Sequence, residues 1–296
     1  MSVIKVDNLT RDYGSGRGIF DLSLAVEKGE VFGFLGPNGA GKTTTIRHLM
    51  GFIKPLQGSC FIEGYDCWKS SANIQKDLGY IPGEISFFDD MTGMEYLKFI
   101  EKYRGMSESK SMNDLIDRFE LDANSKIKKM SKGTKQKIGI VSGFMHDPSI
   151  LILDEPTSGL DPLMQNRFIE LVIEEKNKGK TILMSSHMFE EVERTCHRVA
   201  IIRNGKLVAM DSVDALKEAQ IKKYDITLDS VDSANAFAKE NLEIESVVDN
   251  HIVVVVKNNI GDLISVMNKY AVTNITAPNQ SLEEIFMQYY GGDKNV

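Results

Sequence analysis

The 296-residue chain has no apolar run long enough to cross a bilayer. Residues 251–256 form one of its longest, far short of the roughly 20 residues a spanning helix needs. Its start shows no basic segment followed by an apolar core, so no secretory signal is expected. Cysteine is scarce: Cys60, Cys67 and Cys196 form neither an even framework nor a CxxC pair. Disulfide and thiolate-metal roles are therefore not expected, and semi-buried thiols in a reducing compartment are. Basic residues are also in the minority, with 35 Lys and Arg against 42 Asp and Glu and a formal net charge of −7. That argues against a nucleic-acid partner held by a basic surface. Internal repeats and low-complexity segments are absent too. What remains is ordinary for a globular protein with a real core, at 42% hydrophobic and 26% charged residues. The length suits one large or two modest domains.

The most informative stretch is Gly36-Pro37-Asn38-Gly39-Ala40-Gly41-Lys42-Thr43-Thr44. It fits the phosphate-binding pattern G-x-x-x-x-G-K-[ST] without a mismatch. Before it, residues 31–35 are a short apolar run that reads as a buried strand. After it, residues 44–50 have helix-forming composition and stop at Gly51. The glycines thus fall between a strand and a helix, where backbone N–H groups can approach phosphate oxygens. The helix N-terminus adds partial positive charge at the same point. Lys42 can reach β- and γ-phosphates, and the Thr43 hydroxyl can ligate Mg²⁺. ATP and Mg²⁺ are the expected ligands.

The rest of the chain divides by pattern. Residues 3–9, 19–26 and 58–62 read as strands, so the opening is β-rich. From about 84 to 148 the character is helical, with apolar spacing at 93–103 and 112–119 and no clear strand. Then strands at 149–153, 181–185 and 199–203 alternate with helices at 163–178 and 188–195, which implies a parallel sheet covered by helices. A boundary falls near Ala219. Beyond it the order restarts as strand 224–228, helix 231–241, hairpin 244–248 and 252–256, helix 261–270 and strand 272–276. A last helix follows at 282–290, with Ser281 and Glu284 as its capping box. This βαββαβ order matches a ferredoxin-like α+β arrangement with one extra helix. The expected domains are 1–219 and 220–296.

Ile150-Leu151-Ile152-Leu153-Asp154-Glu155 supplies a second nucleotide motif. An apolar strand delivers two carboxylates to its C-terminal end, where α/β sheets bind ligands. Asp154 is placed to hold the Mg²⁺ hydration shell and Glu155 to polarise the attacking water.

With these in place, the chain resembles the ATP-binding subunit of ABC transporters over residues 3–217. Met130-Ser131-Lys132-Gly133-Thr134-Lys135-Gln136-Lys137 is similar to the family's signature segment, Gly159-Leu160-Asp161 to its D-loop, and Ser185-Ser186-His187 to its switch histidine. The implied architecture is an α/β phosphate-loop NTPase core with an antiparallel β subdomain and a helical insertion. The implied mechanism is a head-to-tail dimer sandwiching two ATP molecules. Ser131 and Gly133 of one chain then face the γ-phosphate held by the other, His187 positions the water relative to Glu155, and Tyr13 stacks on adenine. The second ATPase subunit is either a copy of this chain or a different one.

Two departures stand out. Lys132 and Thr134 replace the Gly and Gln of the common signature, in a neighbourhood that also holds Lys126, Lys128, Lys129, Lys135 and Lys137. After the strand at 78–82 the family places a Gln, whereas this chain has Gly83-Glu84. Gly83 has no side chain to ligate a metal, so Glu84 is the candidate substitute. The signature form, the Pro-Gly-Glu loop and the stretch 281–290 resemble ATPase subunits of bacterial ABC-2 type exporters. That implies a separate transmembrane permease, a place at the cytoplasmic face of the membrane, and a drug, antimicrobial peptide, lipid or polysaccharide as cargo. Phe87 and Phe88 are candidate docking residues for the permease. Tyr96, Phe99 and Tyr103, at helical spacing, are expected to pack the insertion's own core. The competing class is an ABC ATPase of translation, DNA repair or regulation. Such chains usually carry two ATPase domains or a long coiled coil, and here there is one phosphate loop and no sustained heptad pattern.

Overall fold

The computed structural model describes residues 2–106, 110–218, 222–256 and 260–276. The extra helix expected at 282–290 and its capping box lie outside the described residues. The chain divides into two compact units, residues 1–213 and 214–296. This division falls a few residues before the boundary read from the sequence and assigns the short helix after Val213 to the second unit.

The first unit begins with β1 (Ser2–Asp12), β2 (Gly18–Glu27), β3 (Val31–Leu35), α1 (Lys42–Leu49), β4 (Gln57–Ile62), β5 (Tyr65–Asp66), α2 (Ser71–Asp77) and β6 (Leu78–Ile81). The helical segment follows with α3 (Gly93–Tyr103), α4 (Lys110–Arg118) and α5 (Lys132–Phe144). Then come β7 (Ile150–Asp154), α6 (Pro162–Asn177), β8 (Thr181–Ser186), α7 (Phe189–Thr195), β9 (Arg198–Arg203) and β10 (Lys206–Ser212).

These strands make two sheets. The central sheet has the order β10-β9-β3-β8-β7-β6, parallel from β9 to β6 with β10 as an antiparallel edge. Its inner strands β3, β7 and β8 are buried at every residue. Both faces are covered, which is why their sequences read as continuous apolar runs rather than as alternation. The second sheet, β2-β1-β4-β5, is antiparallel. Its strand β2 alternates in burial, as a sheet with one wet face should. Ile4, Leu22 and Val26 from this sheet share one core with Phe32, Phe34 and Ile152 from the other. Each such fully buried side chain stabilises the fold by about 1.5–3 kcal/mol.

The helical segment is the crossover between β6 and β7, which are themselves paired. A capping box starts α3: Thr92 Oγ1 accepts from the Glu95 N–H, and Glu95 Oε2 accepts from the Thr92 N–H. The aromatics of α3 depart from expectation. Its buried residues are Gly93 and Leu97, whereas Phe99 is exposed and Tyr103 is 81% exposed. Spacing puts Tyr96, Phe99 and Tyr103 on one face but does not decide which face is buried. Here the core takes the neighbouring stripe.

The second unit contains α8 (Val213–Glu218) from its second residue on, β11 (Lys222–Leu228), α9 (Val231–Phe237), β12 (Glu243–Val248), β13 (His251–Val256), α10 (Ile260–Met267) and β14 (Val272–Thr276). Its antiparallel sheet has the order β12-β13-β11-β14. Ile226, Phe237, Ile252 and Leu263 close a separate core between this sheet and its helices. Among the described residues, no helix is long and apolar enough to cross a membrane.

Candidate nucleotide site

Parallel pairing sets the site. The phosphate loop leaves the C-terminal end of β3, and the carboxylates leave the C-terminal end of β7. Strand β8 lies between them, pairing Leu35 with Ser186 and Asp154 with Ser185. Gly41 caps the N-terminus of α1 at φ 116°, a backbone region that residues with a Cβ avoid. Its conformation aims the first amides of α1 into the loop. Lys42 is buried and folds back over the loop, donating to the carbonyls of Gly36 at 2.5 Å and Pro37 at 3.2 Å. The same Nζ lies 3.0 Å from Glu155 Oε1.

Asp154 is fully buried. Its Oδ1 accepts from Ser185 Oγ at 2.5 Å, while Oδ2 is buried and takes no hydrogen bond. Burial pushes this carboxyl above the ordinary range; the Ser185 and Thr43 hydroxyls oppose the rise, and the charge of Glu155 adds to it. A buried carboxylate oxygen without a donor, beside the Thr43 hydroxyl, suits a hard divalent cation. Among the described residues, no group of three or more His, Cys, Asp or Glu forms a protein-only metal cage.

Glu155 adopts a left-handed backbone, φ 48°, uncommon for a residue with a side chain. Its N–H is held by Ser185 through the carbonyl at 3.2 Å and Oγ at 3.1 Å. This turn sends Oε2 to His187 Nδ1 and Oε1 to Lys42. Thus the expected base, the expected switch histidine and the loop lysine form one connected row. Asn38, Thr43, Glu84, Asp154, Glu155 and His187 line one cleft of about 350 Å³. Glu84 is exposed at its rim. Gly83 stands over Asp154: a Cβ there would come within 3.0 Å of Asp154 Oδ2.

Other expected site residues are placed differently. Tyr13 is half exposed, with the Arg11 guanidinium 5.1 Å over its ring. Ser131 caps α5, its Oγ accepting from the Thr134 N–H at 3.1 Å. Gly133 backs onto the loop after β7, where a Cβ would sit 2.5 Å from the Gly159 carbonyl oxygen. Lys132 crosses the same gap and donates to Ser158 Oγ at 2.8 Å. The Asp161 carboxylate caps α6 by accepting from the Met164 N–H at 3.0 Å, so its side chain serves the helix. Two residues escaped the sequence reading. Ser185, noted only as a neighbour of His187, holds both Asp154 and Glu155; its pairing opposite Asp154 needed the register of β8 on β7. Glu191 reads as part of an acidic solvated run, yet it is buried.

A strand, a glycine-capped helix, a buried lysine and a strand-end carboxylate pair define a phosphate-loop nucleotide hydrolase. The ABC transporter family model matches residues 19–158. The chain is 34% identical over 302 aligned residues to the bacitracin transport ATP-binding protein BcrA of Bacillus licheniformis, covering 98% of each protein. It also superposes on a solved ATP-binding subunit of an ABC transporter with a TM-score of 0.66 and 32% identity, over 73% of this chain and 92% of that one. A dimeric ATP-binding cassette in a post-hydrolysis state, bound to ADP and Pi, shares the fold at 23% identity and a TM-score of 0.64, over 71% of this chain and 98% of that one. The chain belongs to the ATP-binding proteins of ABC transporters. It is an ATPase subunit of the kind that works with transmembrane permeases.

Proposed function

We propose that this chain powers an ABC-2 type exporter from the cytoplasmic face of the membrane, docked on a separate permease, with an antimicrobial peptide as cargo. The end-to-end similarity to a bacitracin transport ATP-binding protein carries this reading, because it includes the second unit as well as the cassette. In the reaction, Lys42 turns from Glu155 to the β- and γ-phosphates, and amides at the start of α1 take the remaining phosphate oxygens. Glu155, released from Lys42 but still held by Ser185, orients the attacking water, and His187 sets its direction. Mg²⁺, held by Thr43 and Asp154 with Glu84 acting through water, would neutralise phosphate charge. Tyr13 gives an exposed ring for adenine. Ser131 and Gly133 complete the site of a second copy in a head-to-tail dimer, with Asp161 at the junction.

For the permease, the groove between α3 and the core is the docking surface. Its volume is about 660 Å³, and its lining includes Phe52, Tyr80, Tyr96 and Tyr103. Phe87 packs edge-on against Tyr96, whereas Phe88 is 57% exposed and meets Phe99, which stacks on Tyr103. Such a ladder offers a large contact area at low entropic cost. The strand order of the second unit supports a ferredoxin-like module that braces or regulates the dimer. The deciding experiment expresses this chain with its permease in a bacitracin-sensitive cell and measures survival. Protection that Glu155→Gln abolishes supports the reading; protection indifferent to that substitution sinks it.

A further inference from the structure

Of the buried acids the mechanism above leaves unused, Glu30 pairs with Arg198 and Glu175 with Lys178 and Lys180. Glu191, on α7, is 1% exposed. Its Oε2 accepts from Ser186 Oγ at 2.6 Å, and Ser186 Oγ in turn accepts from the Met188 N–H at 2.9 Å. The Thr157 hydroxyl, whose own hydrogen bond goes to Met188 Sδ at 3.9 Å, also favours the charged carboxyl. The other oxygen, Oε1, is buried and takes no hydrogen bond. It borders a cavity of about 100 Å³ lined by Thr157, Gln165, Asn166 and Met188. A buried acid left half satisfied destabilises the fold, and an apolar side chain of similar size would fill the space at lower cost. Structure alone gives it no reason to be there.

Its position supplies one. Ser186 immediately precedes His187, and Thr157 follows Glu155 by two residues. His187 and Glu155 are themselves hydrogen-bonded. The carboxyl of Glu191 therefore sits beneath this pair, bonded to Ser186 at the end of β8 and sharing a cavity with Thr157 and Met188, whose own hydrogen bond joins the loop after β7 to the loop after β8. We propose that Glu191 is a positioning residue that locks these two loops together and so sets His187 against Glu155 for hydrolysis.

The lock is sensitive to protonation. Burial pushes the Glu191 carboxyl up to about 7; the Ser186 bond and the nearby Thr157 hydroxyl oppose the rise and the charge of Glu155 adds to it. From α6, Gln165 and Asn166 at the cavity are neutral. On its own helix, Glu190 also lines the cavity; it is exposed and pairs with Arg194. Behind it, Cys196 is held up to about 12 by burial and stays a thiol, and Lys176 is engaged with the Thr195 carbonyl. As a carboxylate, Glu191 receives charge-assisted bonds, about twice as strong as neutral ones. Once protonated it holds the loops more loosely. Turnover by the full chain should thus fall as pH drops through neutrality.

The test compares steady-state ATP hydrolysis by the full chain and by Glu191→Gln between about pH 5.5 and 9. Glu191→Gln should keep its KM for ATP, lose about tenfold or more in kcat through misplacement of the pair, and lose the acid limb near neutrality. Ser186→Ala, which removes the other half of the bond, should lower kcat in the same way; it serves as the second probe if the first variant melts early. A parental kcat and an unchanged acid limb in folded Glu191→Gln would overturn the proposal. The inference rests on the roles given to Glu155 and His187, so Glu155→Gln is assayed in parallel. If that variant still turns over, the catalytic reading has failed; if it is inactive while Glu191→Gln behaves as the parent, only the positioning role has.

Discussion

Lys42 Nζ and Glu155 Oε1 are 3.0 Å apart, so the lysine proposed to bind phosphate and the carboxylate proposed to activate water hold each other. Replacing either one should separate binding from chemistry. Lys42→Ala removes the charge facing the phosphates and should weaken ATP binding by about tenfold or more. Glu155→Gln keeps the shape and should leave binding intact while lowering turnover by about 10²–10⁴-fold. Equilibrium binding of a fluorescent ATP analogue, read beside phosphate release, checks both. Equal loss of binding in the two variants would contradict the division of labour.

Gly133→Ala tests the joint between the signature segment and the loop after β7. A methyl group there would sit 2.5 Å from the Gly159 carbonyl oxygen, so one of the two segments must shift. The expected cost is about 1–3 kcal/mol of stability, with loss of ATP-driven dimerisation. Thermal melts and sedimentation with ATP in a Glu155→Gln background measure the two effects separately.

The acid stability of the cassette should depend on His146. Burial, with Arg104 nearby, lowers its pKa from 6.5 to about 4. A depressed histidine is neutral in the fold but charges readily when unfolded. Its contribution is therefore fully present above pH 6.5 and is lost as pH falls towards 4. The loss should be about 2 kcal/mol, less than the full shift implies because the ring is only partly buried. His146→Gln should flatten the fall in urea midpoint across this window; an unchanged slope would show that other groups govern it.

Phe88→Asp should uncouple the ATPase from its permease. The ring is mostly exposed, so the isolated subunit should lose no more than about 0.5 kcal/mol and keep its basal hydrolysis. Co-purification with the permease and cargo efflux should fall together. Assembly and transport at parental levels in Phe88→Asp would show that the aromatic ladder of α3 does something else.

The turn from β3 into α1 was legible from the sequence because its conformation is local. Gly41 sets the backbone at the helix start and Lys42 folds back onto carbonyls five and six residues before it, so spacing alone specifies both. Asp154 and Glu155 were legible for the same reason, since a strand end delivers both. The β-rich opening, the helical crossover and the alternation that follows also showed, because helix and strand periods are properties of short segments. Tertiary structure decided everything that depends on register or on which face is covered. Ser185 holds the Asp154 carboxylate and the Glu155 N–H only because β8 pairs beside β7 with Asp154 opposite Ser185. Phe99 and Tyr103 share a face by spacing, but packing chose the stripe of Gly93 and Leu97 to bury instead. Glu191 is the sharpest case. Its neighbours Glu190 and Glu193 make it look like solvated charge, and only the fold of α7 under two loops takes it out of water. Sequence period fixes which residues travel together; the burial of one face rather than another is a sum over distant contacts that no local pattern encodes.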